Sequence, residues 1–398
     1  VNIVIAGKNN IAVNVTEWIL NNIKDVNVYA IFNKNDSGID YGQRSFKKFC
    51  YEKKIQEISL NESYQIENSI FLSLEFDRIV KPTLFSHEKI FNIHFSSLPK
   101  YKGMFTSAWP ILNNESHSGV TLHKIDSGID TGPIIAQKNF ELDCDETAKS
   151  LYLKYIKFGT ELVIANIEGL LDDSYTCSPQ SPENSSYYSR ASINYESINI
   201  DLNKTAFEVI KQINAFTFRD FQLPVVHGVC IYGGSILKQK STARPGVVIE
   251  REEQKIKIAT IDYDVELYKD NLDDILEVCK FGTIEELKKI SFTDRILFEK
   301  NQKGWSPIIV AAYNGNVDLV KWLVGAGADI NDRNNNGTTV IMYYKEYMSR
   351  SRDFSRLEEL INLGADLSLS DHAGKTVFDY INNSSDSLLI NVFDGFRK

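Results

Sequence analysis

A sequence that copies itself at a fixed interval is restricted to folds in which one small unit stacks on the next, and the last third of this 398-residue chain does so. Phe281-Gly282-Thr283-Ile284-Glu285-Glu286-Leu287 returns 33 positions later as Asn314-Gly315-Asn316-Val317-Asp318-Leu319-Val320. Gly304-Trp305-Ser306-Pro307 returns after 33 as Gly337-Thr338-Thr339-Val340, and after a further 37 as Gly374-Lys375-Thr376-Val377. Gly327-Ala328-Asp329 returns as Gly364-Ala365-Asp366. A unit of this size cannot bury its apolar face alone, so each copy depends on its neighbour. The longer second interval places an insertion around Tyr347–Ser355. Three full copies or fewer, with frayed ends, should lean on the rest of the protein for stability.

Upstream the pattern changes. Asn2–Ala6 reads as a short apolar strand, followed by Gly7-Lys8-Asn9-Asn10 and an amphipathic helix from about Ile11 to Asn22. Val26–Phe32, Ser69–Leu74 and Ile90–Phe95 read as further strands, and Ser45–Lys54 as a helix. That order predicts a doubly wound, mainly parallel, Rossmann-like sheet. Its ligands should sit outside the carboxyl ends of the strands, so the loops at Gly7–Asn10, Leu74–Asp77 and Ser96–Gly103 should share one rim. A hairpin (Val120–Asp126, Gly132–Phe140) and a helix from about Glu146 to Leu171 follow. Residues 172–185, rich in Ser, Pro, Asp and Asn, read as a linker. The expected domains are therefore 1–185, a small β-rich segment 186–268 with one helix over Lys204–Asn214, and the repeating segment 269–398.

Length alone exceeds what one ordinary core holds. A net charge of −9 disfavours a long nucleic-acid surface, while a small phosphorylated ligand needs only two or three local cations. Five scattered cysteines without a CxxC argue for reduced thiols in the cytoplasm, and against zinc or a disulfide framework. No apolar run is long enough to cross a bilayer, and Val1–Gly7 lacks the basic start of a signal peptide. Neither a metal nor a membrane is expected.

The chemistry concentrates in Phe91-Asn92-Ile93-His94-Phe95-Ser96-Ser97-Leu98-Pro99, then Gly119-Val120-Thr121-Leu122-His123 and Asp126-Ser127-Gly128-Ile129-Asp130-Thr131-Gly132. Asn92 and His94, two apart on a strand, project from the same face, and Asp130 follows a turn that returns toward it. Amide, imidazole and carboxylate make a plausible acyl-transfer set. Taken singly, an Asn-x-His on a strand is more often a hydrogen-bonded polar pair, and a D-x-G is usually a turn. Together, N-x-H-x-S-x-L-P, T-x-H and D-x-G-x-I resemble the folate-dependent formyltransferase family over about residues 1–190. The resemblance implies that Asn92, His94 and Asp130 are catalytic, with N10-formyltetrahydrofolate as co-substrate. It implies that Asn92 and a protonated His94 hold the oxyanion while Asp130 orients the imidazole. The pterin would be held by backbone groups of Ser73, Leu74, Glu75 and Phe76 and of Asp126, Ser127, Gly128 and Ile129. His123 matches the family's second histidine.

Within that family the loop Gly7-Lys8-Asn9-Asn10 has too few glycines for the purine branch, and the acidic balance argues against the tRNA branch. Tyr101–Pro110 and Ile213–Asp220 resemble the nucleotide-sugar branch. The expected acceptor is then a dTDP-linked amino-dideoxy sugar, formylated at C3 or C4 for bacterial surface polysaccharide, with a UDP-amino sugar or glycinamide ribonucleotide as alternatives. Lys8, Asn10, Lys81, Lys102, Gly103, Met104 and Phe105 are the candidate substrate contacts, and the β-rich segment is the candidate homodimer surface. The 33-residue repeats resemble ankyrin repeats, each a loop and two helices. That implies a protein partner, or an accessory nucleotide-sugar site at Trp305, Tyr343 and Tyr344. A purely interacting protein with a degenerate catalytic domain is the reading of another class.

Overall fold

The structure is a computed structural model that describes residues 1–384 and 386–397. The chain divides into two compact units, Val1–Val226 and His227–Lys398. The boundaries read at 185 and 268 fall inside these units. Residues 186–226 belong to the first because Tyr187–Tyr188 pairs with Lys102–Gly103 and the helix Ala206–Phe216 packs on two helices of that unit.

In the first unit the elements run β1 (Asn2–Gly7), α1 (Asn9–Asn22), β2 (Asn27–Phe32), α2 (Phe46–Glu52), β3 (Gln56–Glu57), α3 (Leu60–Ser63), β4 (Ser69–Leu74) and β5 (Ile90–His94). Then come β6 (Lys102–Gly103), α4 (Trp109–Leu112), β7 (His117–Lys124), β8 (Ile134–Glu141), α5 (Ala148–Asp172), β9 (Tyr187–Tyr188), α6 (Ala206–Phe216) and β10 (Val225–Val226). The main sheet has the order β3-β2-β1-β4-β5-β7-β8. It is parallel from β3 to β5, and the β7–β8 hairpin adds two antiparallel strands beside β5. Crossovers leave in opposite directions on either side of β1 and β4, which opens a crevice at their carboxyl ends.

Strand alternation decides what fills each face. Ile3, Ile5, Leu72, Leu74 and Ile93 point to one side, where α1 and α5 supply Ile11, Val15, Ile19, Leu151 and Val163. Val4, Ala6, Ile31, Phe71 and Ile90 fill the other. All six residues of β4 are buried, as a strand covered on both faces requires. Each such Ile or Leu contributes roughly 1.5–3 kcal/mol. This core holds the strand ends, and with them the side chains on the rim.

In the second unit four antiparallel strands, β11 (Val229–Lys240), β12 (Val248–Arg251), β13 (Lys255–Ile258) and β14 (Tyr263–Lys269), take the order β11-β14-β13-β12. Four helix pairs follow among the described residues: α7 (Leu272–Phe281) with α8 (Ile284–Leu287), α9 (Pro307–Tyr313) with α10 (Val317–Gly325), α11 (Val340–Ser351) with α12 (Leu357–Asn362), and α13 (Val377–Ser384) with α14 (Ser387–Asp394). Helix α9 lies between α7 and α11 and is buried from Pro307 to Ala312. The extra residues expected around Tyr347–Ser355 prolong α11 and the turn after it, where Arg352 has φ +61°. No described helix is long and apolar enough to cross a membrane.

Candidate active site

Strand β5 presents Asn92 and His94 on one face, and its antiparallel register with β7 sets His123 directly opposite Asn92. His94 is 7% exposed and His123 2%. The Tyr101 carbonyl lies 2.8 Å from His94 Nε2. A carbonyl can only accept, so Nε2 carries the proton. His94 Nδ1 then faces Asp130 Oδ2 at 3.4 Å, and that oxygen also accepts from the Gly103 N–H at 2.9 Å. His123 Nδ1 donates to the Lys124 carbonyl at 2.7 Å, which leaves its Nε2 to accept from Asn92 Nδ2 at 3.1 Å. The second Asn92 amide hydrogen is directed at Asp130 Oδ1, 3.4 Å away.

The turn that returns Asp130 to this face depends on Gly132. A Cβ there would lie 1.8 Å from the Lys124 carbonyl oxygen. Gln180 Nε2 ties the Asp130 and Gly132 carbonyls together at 2.8 Å each. Asp130 sits at φ +54°, a left-handed conformation that Asp tolerates better than most residues.

Burial holds His94 below the ordinary histidine range, against the pull of the Asp130 carboxylate. Burial would raise Asp130, but the neighbouring His94 and His123 rings and the Gly103 N–H outweigh it and keep the group well below the usual carboxylate range. The resting site therefore pairs a neutral imidazole with an ionised carboxylate. Desolvation disfavours the imidazolium before a substrate arrives, and the protonated His94 expected from the resemblance belongs to the later oxyanion step. Both hydrogens of the Asn92 amide are engaged in the resting site, so one must be released to meet an oxyanion.

A second polar group occupies the rim at the β1–β4 crevice. Glu75, at φ +58°, turns its Oε2 to Tyr152 OH at 2.8 Å and Asn9 Nδ2 at 3.3 Å. Burial pushes its carboxyl up to about 7, while the nearby Lys8 charge and the hydrogen bonds from Tyr152 and Asn9 act the other way. Of the neighbouring pterin candidates, Ser73 and Leu74 are buried in β4 and Phe76 packs edge-on to Phe71 under Arg78. The Ser73 and Leu74 side chains serve the core, while Phe76 is only partly buried. In the other loop Asp126 Oδ1 accepts from the Gly128 N–H and Thr131 Oγ1, and Ser127, Gly128 and Ile129 are exposed.

The remaining candidates divide. Gly103 reaches Asp130 directly, Lys102 Nζ donates to Ser185 Oγ at 3.2 Å, Met104 is 45% exposed, and Phe105 packs edge-on to Tyr195 at 5.0 Å. Lys8 is brought beside Glu75. Asn10 instead anchors its own loop, its Oδ1 accepting from the Arg44 N–H and its N–H meeting Gln43 Oε1. Lys81 is exposed at the start of a short turn. In the second unit Trp305 is half-buried, with Tyr313 and Tyr343 each 5.2 Å away. Tyr344 is 1% exposed and stacked on Tyr347, so it belongs to the helical core and cannot contact a ligand. Among the described residues no group of three or more His, Cys, Asp and Glu side chains converges to hold a metal ion.

Three groups of this site were not read from sequence: the Tyr101 carbonyl, Gln180 and Tyr152. Backbone carbonyls have no sequence signature. Gln180 lies in the segment read as linker.

Residues 22–167 match the formyl transferase family, and residues 275–371 match ankyrin repeats in three copies. WlaRD, a sugar 3N-formyltransferase solved in the presence of dTDP and 5-N-formyl-THF, is 45% identical, covers 68% of this chain and 97% of its own, and superposes with a TM-score of 0.63. An N-formyltransferase from Helicobacter canadensis, solved with folinic acid and dTDP-3-aminofucose, is 43% identical over 67% of this chain and 98% of its own, with a TM-score of 0.63. The methionyl-tRNA formyltransferase of Clostridium tetani is 33% identical over 176 residues, so the chain spans only 55% of that relative. That of Fervidobacterium nodosum is 31% identical over 249 residues, 78% of its length. The chain belongs to the formyl transferase family, in its sugar N-formyltransferase branch, and carries an ankyrin-repeat segment toward its C-terminal end.

Proposed function

We propose that this protein transfers the formyl group of N10-formyltetrahydrofolate to the C3 amine of a dTDP-linked amino-dideoxy sugar. The observation that carries the reading is the cluster of His94, Asp130, Asn92 and His123 at the carboxyl ends of a parallel sheet. The similarity to two enzymes described with a sugar 3N activity or with dTDP-3-aminofucose favours this acceptor, and C3 over C4.

The amine nitrogen attacks the formyl carbon, a C–N bond forms, and the carbonyl π electrons move to oxygen. His94 Nδ1, unprotonated while Nε2 is held by Tyr101, takes the proton that the amine loses. The resulting imidazolium is stabilised by Asp130. One Asn92 hydrogen swings from His123 or Asp130 to the oxyanion, a contact worth roughly 3–4 kcal/mol. Collapse breaks the C–N10 bond, and N10 leaves with the proton from His94. Backbone groups of 73–76 and 126–129 hold the pterin, and Lys8 and Lys102 lie on the substrate side.

In this reading the enzyme works in the cytoplasm as a homodimer through its β-rich segment, and its product enters bacterial surface polysaccharide. The ankyrin segment binds a protein, or a second nucleotide-sugar against Trp305 and Tyr343. The test is incubation with N10-formyltetrahydrofolate and a panel of dTDP- and UDP-linked amino sugars, followed by mass. Formylation of a dTDP-3-amino sugar, abolished by His94→Ala, is the expected result. Formylation of glycinamide ribonucleotide or of methionyl-tRNA instead overturns it.

A further inference from the structure

The two main-chain groups that touch the acid–base pair, Tyr101 C=O and Gly103 N–H, come from one short loop. That loop has an unusual backbone: Tyr101 (φ +58°), Gly103 (φ +87°) and Phe105 (φ +62°) are all left-handed. Non-glycine residues hold such conformations only where their surroundings impose them. Here the surroundings are a distant piece of chain. Ser186 donates its N–H to the Pro99 carbonyl at 3.2 Å, and its Oγ accepts from the Tyr101 N–H at 2.8 Å. The Ser186 carbonyl accepts from the Lys102 N–H at 2.9 Å, and the Tyr188 carbonyl from the Met104 N–H at 2.9 Å.

Side chains lock the same segment from the other side. The Tyr188 ring is stacked on Trp109 at 4.1 Å and on Tyr101 at 5.8 Å. Asn113 Nδ2 donates to both phenol oxygens, at 3.1 Å for Tyr101 and 3.4 Å for Tyr188. A Cβ at Gly103 would lie 2.3 Å from the Tyr188 carbonyl oxygen, so the two backbones meet as closely as glycine permits.

We propose that Ser186–Tyr188 is a strap that positions the catalytic pair, with Ser186 and Tyr188 as positioning residues that act through Tyr101 and Gly103. The strap keeps the Tyr101 carbonyl on His94 Nε2, and so keeps the reactive lone pair on Nδ1. Through Gly103 it also aims Asp130 Oδ2. The charged and titratable groups facing His94 are Asp130, His123 and Lys102, and none of them fixes the tautomer in place of Tyr101. The segment lies outside the acyl-transfer motifs and reaches the catalytic pair through Tyr101 and Gly103.

The consequence for turnover rests on the formyl-transfer reading, so two readouts are needed. In full-length protein with 15N-labelled histidine, His94 of the wild type should show a single Nε2–H tautomer. Tyr188→Ala should show a mixture, and Tyr188→Phe, which keeps the stack, should resemble wild type. In the formylation assay Tyr188→Ala should lower kcat roughly ten- to a hundredfold with little change in KM, and Tyr188→Phe should restore it. If Tyr188→Ala does not fold, Ser186→Ala, which removes only the acceptor for the Tyr101 N–H, takes its place with the same readouts. An unchanged His94 tautomer in Tyr188→Ala and Ser186→Ala overturns the strap, whatever their turnover. A wild type that shows the tautomer but formylates no amino sugar defeats the functional reading and leaves the strap standing.

Discussion

The Tyr101 carbonyl accepts a hydrogen bond from His94 Nε2 at 2.8 Å, and this single contact leaves Nδ1 facing Asp130. The tautomer is thus decided by backbone, and the carboxylate is free to answer the charge that appears when Nδ1 is protonated. Because burial lowers His94, the neutral, reactive form persists to more acid pH than free histidine allows. We predict that kcat/KM falls only as pH drops through this lowered value, giving an acid limb below 6.5, the ordinary histidine value. Asp130→Asn removes the group that raises His94. Its limb should move further toward acid while the plateau falls by about a hundredfold or more. Rate profiles of both proteins check this, and a wild-type limb at or above the free-histidine value would defeat it.

Glu75 makes the stability of the first unit depend on pH in an unusual direction. Its carboxyl is raised from 4.5 to about 7, so the folded state binds a proton that the unfolded chain has released between those values. The stabilising contribution is complete below the unfolded value and is lost as pH rises through the folded one. We expect unfolding free energy to decline over that window by at most about 3 kcal/mol, reduced by whatever solvent reaches the carboxyl. Glu75→Gln, which keeps the hydrogen-bonding shape without the charge, should flatten the profile. Urea melts of both proteins on either side of the window decide it; parallel profiles would rule out a proton on Glu75.

The alternation of Ile3, Ile5 and Leu72, Leu74 with Val4, Ala6 and Phe71 is legible in the sequence, because a strand buried on both faces leaves a continuous apolar run. The pairing of Asn92 with His94 was legible for the same reason of period. The strap was not. Ser186–Tyr188 acts through main-chain hydrogen bonds and a ring stack, and neither has a spacing that marks it in one sequence. Glu75 is legible in sequence only for its backbone, because its carboxyl meets Asn9 and Tyr152, 66 and 77 residues away, and such contacts exist only after the sheet has formed. Tyr344 was misread because adjacent tyrosines at the start of a helix look alike in sequence, while the helix turns one outward and the other into the core.

Gly132 carries the hairpin past Lys124 with no room for a side chain. Substitution by alanine must push the turn away from β7, and Asp130, two residues earlier, moves with it. Gly132→Ala is predicted to cost about 2–4 kcal/mol of stability and to reduce turnover at temperatures where the protein is still folded. Thermal melts and an assay well below the transition separate the two effects. A variant with wild-type melting behaviour would show that the turn has slack the structure denies.

The two tyrosines of α11 offer a matched pair for the ankyrin segment. Tyr344 is 1% exposed and its ring lies against Tyr347, so truncation leaves a cavity that neighbouring helices fill only in part. Tyr343 is half-buried, with its hydroxyl accepting from Asn334 and its ring beside Trp305. Tyr344→Ala should therefore cost about 3–5 kcal/mol, and Tyr343→Ala less than half as much. Because stability in stacked repeats passes between neighbours, the first variant should lower the whole transition of the helical segment, while the second should shift it slightly. Denaturation of the full-length chain, followed by helical circular dichroism and by tryptophan emission, reads both. Equal losses would place the two rings in equivalent surroundings, and a larger loss for Tyr343 would reverse the assignment of core and surface along α11.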